Sequence, residues 1–188
     1  MTIFLILAPY AAFSLLTLVT SAAVSLFAAA VICMAVLLFD AARGRSLKIL
    51  GAGSVLVFVA VGAYVGLIDT TLSIPGVKFA VDAGILLVTL TSIVIRIPFT
   101  LQYAREVVDA ETARLPGFLR ANYAITLAWT ASMLLMMLGN AAIIYVPGLP
   151  LWSSLLIAFA ARNCAVYFTK WYPEYRKAKY GAPAATAQ

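Results

Sequence analysis

The feature that most constrains this chain is an uncharged, mostly apolar run that extends from Thr2 to Phe39. As a single helix these 38 residues would be about 57 Å long, nearly twice the ~30 Å hydrocarbon core of a bilayer. We therefore expect the run to fold back at Thr20-Ser21 as two helices, near 3–19 and 22–39. A single tilted span with a re-entrant or interfacial piece is the alternative.

Four further apolar stretches have the length of a membrane-crossing helix. We expect them near 49–68, 77–97, 122–145 and 151–169. Polar loops separate the stretches, and Pro75-Gly76 is expected to act as a turn between the first two.

Composition supports lipid as the solvent for these helices. Soluble domains carry about 25% charged residues, whereas this chain has 11% charged and 64% hydrophobic residues. The sequence therefore predicts an all-α integral membrane protein with six transmembrane helices, five being the alternative. Residues 1–180 are expected to form one helical domain, followed by a disordered tail over 181–188.

Basic residues are concentrated on one side of the predicted spans. With six spans, 11 of the 13 Lys and Arg residues fall in the 40–48 loop, the 96–121 connection and the C-terminal tail. Positively charged loops face the cytoplasm, so both termini are predicted to be cytoplasmic. The net charge of +6 then suits membrane lipids with anionic headgroups as partners. No basic module outside the membrane zone indicates binding to nucleic acid.

Each of the last three predicted spans carries a stripe of small or polar residues at helical spacing. The stripes are Asp82, Thr89, Ser92 and Arg96; Asn122, Thr126, Met133 and Asn140; and Ala158, Arg162, Ala165 and Thr169. The stripes either pack together and satisfy their polar groups across helices, or line a cavity filled with water or ligand. With Asn163, their polar members form a candidate polar seam or anion and lipid site.

Arg162 is the sharpest candidate, because it is a charged residue about eight positions inside the last apolar stretch. It is expected to seek a carboxylate or to extend toward the interface. Asp82 is one partner, although Lys78, four residues earlier, also suits that carboxylate. Glu106 reaches Arg162 only if the 98–121 connection folds inward. A bound anion such as a lipid phosphate, and proton or ion coupling, are the functional alternatives.

Nothing in the sequence indicates catalysis, a metal or a cofactor. The chain has no histidine, which removes histidine metal ligands and the usual general base. Cys33 and Cys164 lie in predicted spans and are expected to be packing residues. The acids of REVVDAE (105–111) are expected to belong to an amphipathic surface segment. Gly62 and Gly66 form a GxxxG motif that permits close helix contact, with a homodimer face as one use.

The second half of the chain carries a set of short motifs in IPFTLQYAREVVDAETARLP (97–116) and ANYAITLAWTASMLLMMLGNAAIIYV (121–146). These segments resemble the intracellular septation protein A family of bacterial inner-membrane proteins, and Pro9 in FLILAPYAAF (4–13) matches that family's N-terminal proline. The resembling residues are Pro98, Gln102, Leu115-Pro116, Asn122, Leu127-Ala128-Trp129, Asn140 and Tyr145.

The resemblance implies a multi-pass protein of the bacterial inner membrane without catalysis. Such a protein would act in envelope integrity, membrane homeostasis or cell division, through partner proteins, helix contacts and lipids. The charges of 97–121 differ from the family pattern and Arg162 has no counterpart, so no site residue is carried over. The alternative is a small-solute or lipid transporter or channel, with a polar path through the last three spans and an anion site at Arg162.

Overall fold

The computed structural model describes residues 2–180 of the chain and folds them into helices and short connections. No strand occurs in this part of the chain. Its helices are α1 (Thr2–Leu16), α2 (Ala22–Ala42), α3 (Ile49–Leu67), α4 (Ile74–Val94), α5 (Phe99–Ala104), α6 (Pro116–Tyr145) and α7 (Leu151–Tyr180), with a 3-10 turn at Thr112–Arg114. The predicted tail over 181–188 lies outside the described residues.

Five of the described helices, α2, α3, α4, α6 and α7, are long and apolar enough to cross a membrane. The all-helical class and the membrane character are therefore confirmed. The predicted first span corresponds to α1, whose 15 residues would extend only about 22 Å. The predicted reversal at Thr20-Ser21 is present, because α1 packs on α2. The Ser21 hydroxyl accepts from the Val24 amide at 3.3 Å and caps α2.

The helices pack mainly on their neighbours in the chain. α1 packs on α2, α2 on α3, α3 on α4, α4 on α6, and α6 on α7. The hydrophobic core lies mostly among the first four helices, where Phe13 and Phe58 are in ring contact and Leu26 and Val77 are fully buried. The main packing partner of α7 is α6, which leaves much of α7 on the outside of the bundle.

Two glycines let α3 and α4 approach closely in a reciprocal contact. A Cβ at Gly53 would lie 2.5 Å from a methyl group of Val88, and a Cβ at Gly84 would lie 2.7 Å from a methyl group of Val57. Each valine therefore occupies the space that the opposite glycine leaves. Small residues that admit a neighbouring helix in this way are a common means of packing within membranes.

The GxxxG motif of α3 is used inside the chain. A Cβ at Gly62 would meet Leu26 at 3.3 Å, and one at Gly66 would meet Ala23 at 3.7 Å, both on α2. Gly62 is therefore buried against α2, whereas Gly66, at the end of α3, remains exposed.

The boundaries at the start of α4, the start of α6 and the end of α7 are among those that differ from the predictions. Pro75 lies in the first turn of α4 instead of in a separating turn, a position where its missing N–H removes no helical hydrogen bond. α6 begins at Pro116 instead of near 122, and α7 continues to Tyr180 instead of ending near 169. Apolar length predicts only the lipid-covered part of a helix, whereas the backbone hydrogen bonds continue into the polar interface.

The connection between α4 and α6 is also different from the expectation. Residues 105–111, expected to be an amphipathic surface segment, form turns and bends in which Glu106, Asp109 and Glu111 are exposed. Asp109 instead accepts hydrogen bonds from the backbone and hydroxyl of Thr112, at 2.7 and 2.9 Å. These hydrogen bonds lower the pKa of the exposed Asp109 carboxyl, the backbone bond contributing most.

Candidate functional site

The predicted stripe of α4 meets that of α6 through a hydrogen bond between two side chains. The Asn140 amide donates to the Asp82 carboxylate at 2.8 Å. Asn140 is buried and Asp82 is half-buried. Lys78 acts on Asp82 electrostatically, but the hydrogen-bonding partner of this carboxylate is on another helix and not four residues earlier.

Arg162 of α7 is half-buried. Its charge acts electrostatically on Asp82 and on Tyr10 of α1. Within residues 2–180 the ion pairs at 4.0 Å or less are made by other cations, so Arg162 acts on Asp82 through space and not by the expected direct pair. Glu106, the other carboxylate considered for Arg162, binds Lys48 and lies near Arg45 instead.

Thr89 and Ser92 are fully buried on the predicted face of α4. The Thr89 hydroxyl donates to the Leu86 carbonyl at 2.9 Å, and the Ser92 hydroxyl donates to the Thr89 carbonyl at 2.7 Å. Ser92 also accepts from the Phe99 amide at 3.3 Å, which ties the end of α4 to the start of α5. Both hydroxyls therefore serve the local backbone.

Arg96 lies outside the seam, contrary to the prediction. α4 ends at Val94, and Arg96 is exposed with a φ of 61°. The Ile97 amide donates back to the Ser92 carbonyl at 2.9 Å, the closure usual where a helix ends in a left-handed residue. Pro98 disfavours helix at the residue before it, so the helical spacing does not extend to Arg96.

Asn122 and Thr126 join α6 to α5. The Asn122 side chain donates to the Phe118 carbonyl at 3.0 Å on its own helix. The Thr100 hydroxyl of α5 donates to the Asn122 carbonyl at 2.9 Å and lies 2.7 Å from the Thr126 hydroxyl. The Thr100 and Thr126 hydroxyls and the Asn122 carbonyl therefore hold α5 against α6.

Thr169 of the α7 stripe and Asn163, the candidate outside that stripe, have opposite outcomes. Thr169 accepts a hydrogen bond from the Trp129 indole at 3.0 Å, which links α7 to α6. Asn163 is exposed and donates to the Phe159 carbonyl at 2.7 Å, one turn earlier in the same helix. Asn163 is therefore outside the seam.

A cluster of charged side chains that was not predicted from the sequence lies between the α2–α3 loop and the connection after α4. Lys48 is only 2% exposed, and its ammonium group binds the Glu106 carboxylate and the Ser46 carbonyl. Arg45 pairs with Asp40 at 3.0 Å and lies 3.9 Å from the second Glu106 oxygen. We call these four charged residues, Asp40, Arg45, Lys48 and Glu106, the loop cluster.

Two further side chains of α5 close over the loop cluster. The Gln102 side chain accepts from the Ile49 amide at 2.7 Å and donates to the Leu47 carbonyl at 3.3 Å. The Tyr103 ring lies 5.5 Å from the Lys48 nitrogen, and burial raises the pKa of Tyr103. A cavity of about 30 Å³ lies beside the cluster, bounded by Tyr10 and Ser54, and is large enough for about one water molecule.

A groove of about 450 Å³ opens between α6 and α7 on the outside of the bundle. Its walls are mainly apolar and include Ala128, Ala131 and Leu135 from α6 and Ala160, Ala161 and Phe168 from α7. It is chemically distinct from the seam and from the loop cluster, because carbon atoms form most of its surface.

Comparisons of the chain with protein-family models, with curated proteins and with solved structures give no match. The class of protein therefore comes from the fold. The described chain is an all-helical membrane protein with five candidate spans, a polar seam between its later helices and a loop cluster at one end.

Proposed function

We propose that this chain is a non-enzymatic, multi-pass membrane protein of the septation protein A type, which supports envelope integrity, membrane homeostasis or cell division through helix and lipid contacts. One observation carries the proposal. Several residues on which the family resemblance rests make the joints between helices: Gln102 binds the start of α3, Trp129 binds α7, and Asn140 binds α4. A family whose members share this helical bundle would retain the residues that join its helices.

The proposed topology has six crossings and both termini in the cytoplasm of a bacterial cell, with the chain in the inner membrane. α1 covers Thr2–Leu16, about 22 Å of helix, and the turn over 17–20 leads from it to Ser21. Tyr10 is hydrogen-bonded to Ser54 near the start of α3, and Pro9 lines the small cavity with Asp40 and Lys48. These contacts support an N-terminus on the side of the basic 43–48 loop, which the charge rule assigns to the cytoplasm.

The test is complementation of a deletion strain under hypo-osmotic and detergent stress. Wild type and Arg162→Leu are expressed at equal membrane levels, and cell shape and survival are measured. We expect both to restore the deletion phenotype, because the proposed role depends on the bundle and not on a site at Arg162. A deletion that leaves shape and survival unchanged under both stresses would contradict the proposal.

A second candidate function is a transporter or channel with its path along α4, α6 and α7. It is favoured by the meeting of Asp82, Asn140 and the charge of Arg162 in the interior of three candidate spans, since ionisable groups inside spans often mark solute or ion pathways. This candidate predicts that Arg162→Leu abolishes chloride or phosphate flux into proteoliposomes while the protein still inserts. Full flux by that variant would exclude it.

A further inference from the structure

The groove between α6 and α7 has the length of one membrane leaflet. The two helices are close at Gly139, where a Cβ would lie 3.2 Å from Ile157. On α7 the lining residues extend from Ile157 to Phe168, which corresponds to about 16 Å of helix. Half of the ~30 Å hydrocarbon core is about 15 Å. Ala131 and Ala160 in the walls are exposed, so the groove is open to the surrounding lipid.

A set of side chains that we call the collar continues the groove face of α7 beyond Phe168. Its members are Tyr172, Tyr175 and Lys179, which follow Phe168 by 4, 7 and 11 residues and so share its side of the helix. Phe168 stacks on Tyr172 with ring centroids 4.9 Å apart, and the Lys179 nitrogen lies 5.6 Å from the Tyr175 ring. Aromatic side chains with neighbouring cations are typical of the headgroup level of a membrane.

The charge at this end of the groove is strongly positive. After Phe168, α7 carries Lys170, Arg176, Lys177 and Lys179 but only one acid, Glu174, which pairs with Lys177 at 3.0 Å. On α6, the exposed Arg120 precedes Ala131 by eleven residues, about three helical turns, so it lies on the groove side. Basic residues from two helices therefore lie beyond one end of an apolar groove, and their long side chains suit an anionic headgroup above an acyl chain.

We propose that the α6–α7 groove binds one anionic phospholipid, with an acyl chain along the alanine-lined walls and the phosphate at the collar near Arg120 and Lys179. This inference rests on the proposed function, in which the protein acts through lipid contacts, and it specifies the lipid class and the surface. The apolar walls retain the acyl chain of the lipid. Arg120 and Lys179, at the collar, give the preference for a negative headgroup.

The test uses full-length protein reconstituted in nanodiscs with equal amounts of phosphatidylglycerol and phosphatidylcholine. After mild detergent extraction, native mass spectrometry measures the retained lipids and the oligomeric state. Ala131→Phe fills the groove, with Ala160→Phe as a second variant on the opposite wall. Arg120→Gln with Lys179→Gln removes collar charge. The matched control is Leu56→Phe, which enlarges a side chain that is 70% exposed on α3, outside the groove.

We expect wild type and Leu56→Phe to retain phosphatidylglycerol in preference to phosphatidylcholine. A groove variant should lose retention of both lipids, whereas the collar variant should keep bound lipid but lose about fivefold in headgroup preference for each basic residue removed.

Three outcomes would overturn the inference: no headgroup preference in wild type, full retention by a folded Ala131→Phe or Ala160→Phe protein, or conversion of a dimer to a monomer by these variants without a change in lipid. The last result would assign the groove to a second copy of the chain. Complementation of the deletion strain is scored separately, so loss of the lipid site leaves the proposed function standing if wild type still rescues.

Discussion

Removing the carboxylate of the loop cluster should be one of the most destabilising single changes in this protein. In Glu106→Leu, the ammonium of Lys48 loses its counter-charge while it remains only 2% exposed. Breaking a buried ion pair by deleting one partner costs about 3–5 kcal/mol. Glu106 is itself 21% exposed, and Lys48 keeps its bond to the Ser46 carbonyl, so we expect the low end, about 3 kcal/mol.

The chain contains a matched control in the pair of Glu174 and Lys177, whose side chains are 71% and 63% exposed. Glu174→Leu should change the free energy of unfolding by no more than about 0.5 kcal/mol, because an exposed pair on one helix contributes little. The double variant Lys48→Met with Glu106→Leu should recover most of the loss, since replacing both partners by apolar groups removes the uncompensated charge.

The free energy of unfolding of each variant is measured in detergent micelles by tryptophan fluorescence. Wild type, Lys48→Met, Glu106→Leu and the double variant form a double-mutant cycle. The reasoning is refuted if Glu106→Leu is as mild as Glu174→Leu. It is also refuted if the double variant loses as much stability as the sum of the two single variants, because Lys48 and Glu106 would then act independently.

Three further predictions follow from single contacts. Gly84→Ala should lower the free energy of unfolding by about 1–3 kcal/mol, because the new Cβ would lie 2.7 Å from a valine methyl group. Gly66→Ala is the control and should change the free energy of unfolding little, because its nearest atom is at 3.7 Å. Thermal unfolding compares the two variants. Asn140→Leu should cost about 1–3 kcal/mol by leaving the Asp82 carboxylate without its amide donor, and an unchanged melting temperature would contradict the joint between α4 and α6. Asp109 has a lowered pKa, so its ionised form stabilises the following turn above about pH 4, and this stabilisation is lost as the pH falls through the lowered pKa. Hydrogen exchange of the turn should show the loss in wild type. The Asp109→Asn variant should show no such pH dependence.

The parts of the seam that were predicted are those that depend on periodicity within one helix. Thr89, Ser92 and Asn140 lie on buried faces because apolar and polar residues repeat at the helical period. Arg96 departs from the periodic pattern because α4 ends before it. Asn163, which was not part of a stripe, is exposed and bonds to the carbonyl one turn earlier in its own helix. Arg162 makes none of the ion pairs found within residues 2–180, so a carboxylate partner for it stays a prediction.

The sequence by itself determined the membrane class, the positions of the apolar helices and the reversal at Thr20-Ser21, because hydrophobic length and capping are local properties of the chain. Only the tertiary structure decided that Asn140 binds Asp82, that Glu106 binds Lys48 and that α2 covers the Gly62 face. The physical reason is that helical spacing defines a face but not the partner of that face. The two side-chain pairs are each 58 residues apart in the chain, and they meet only because of the way the helices pack together.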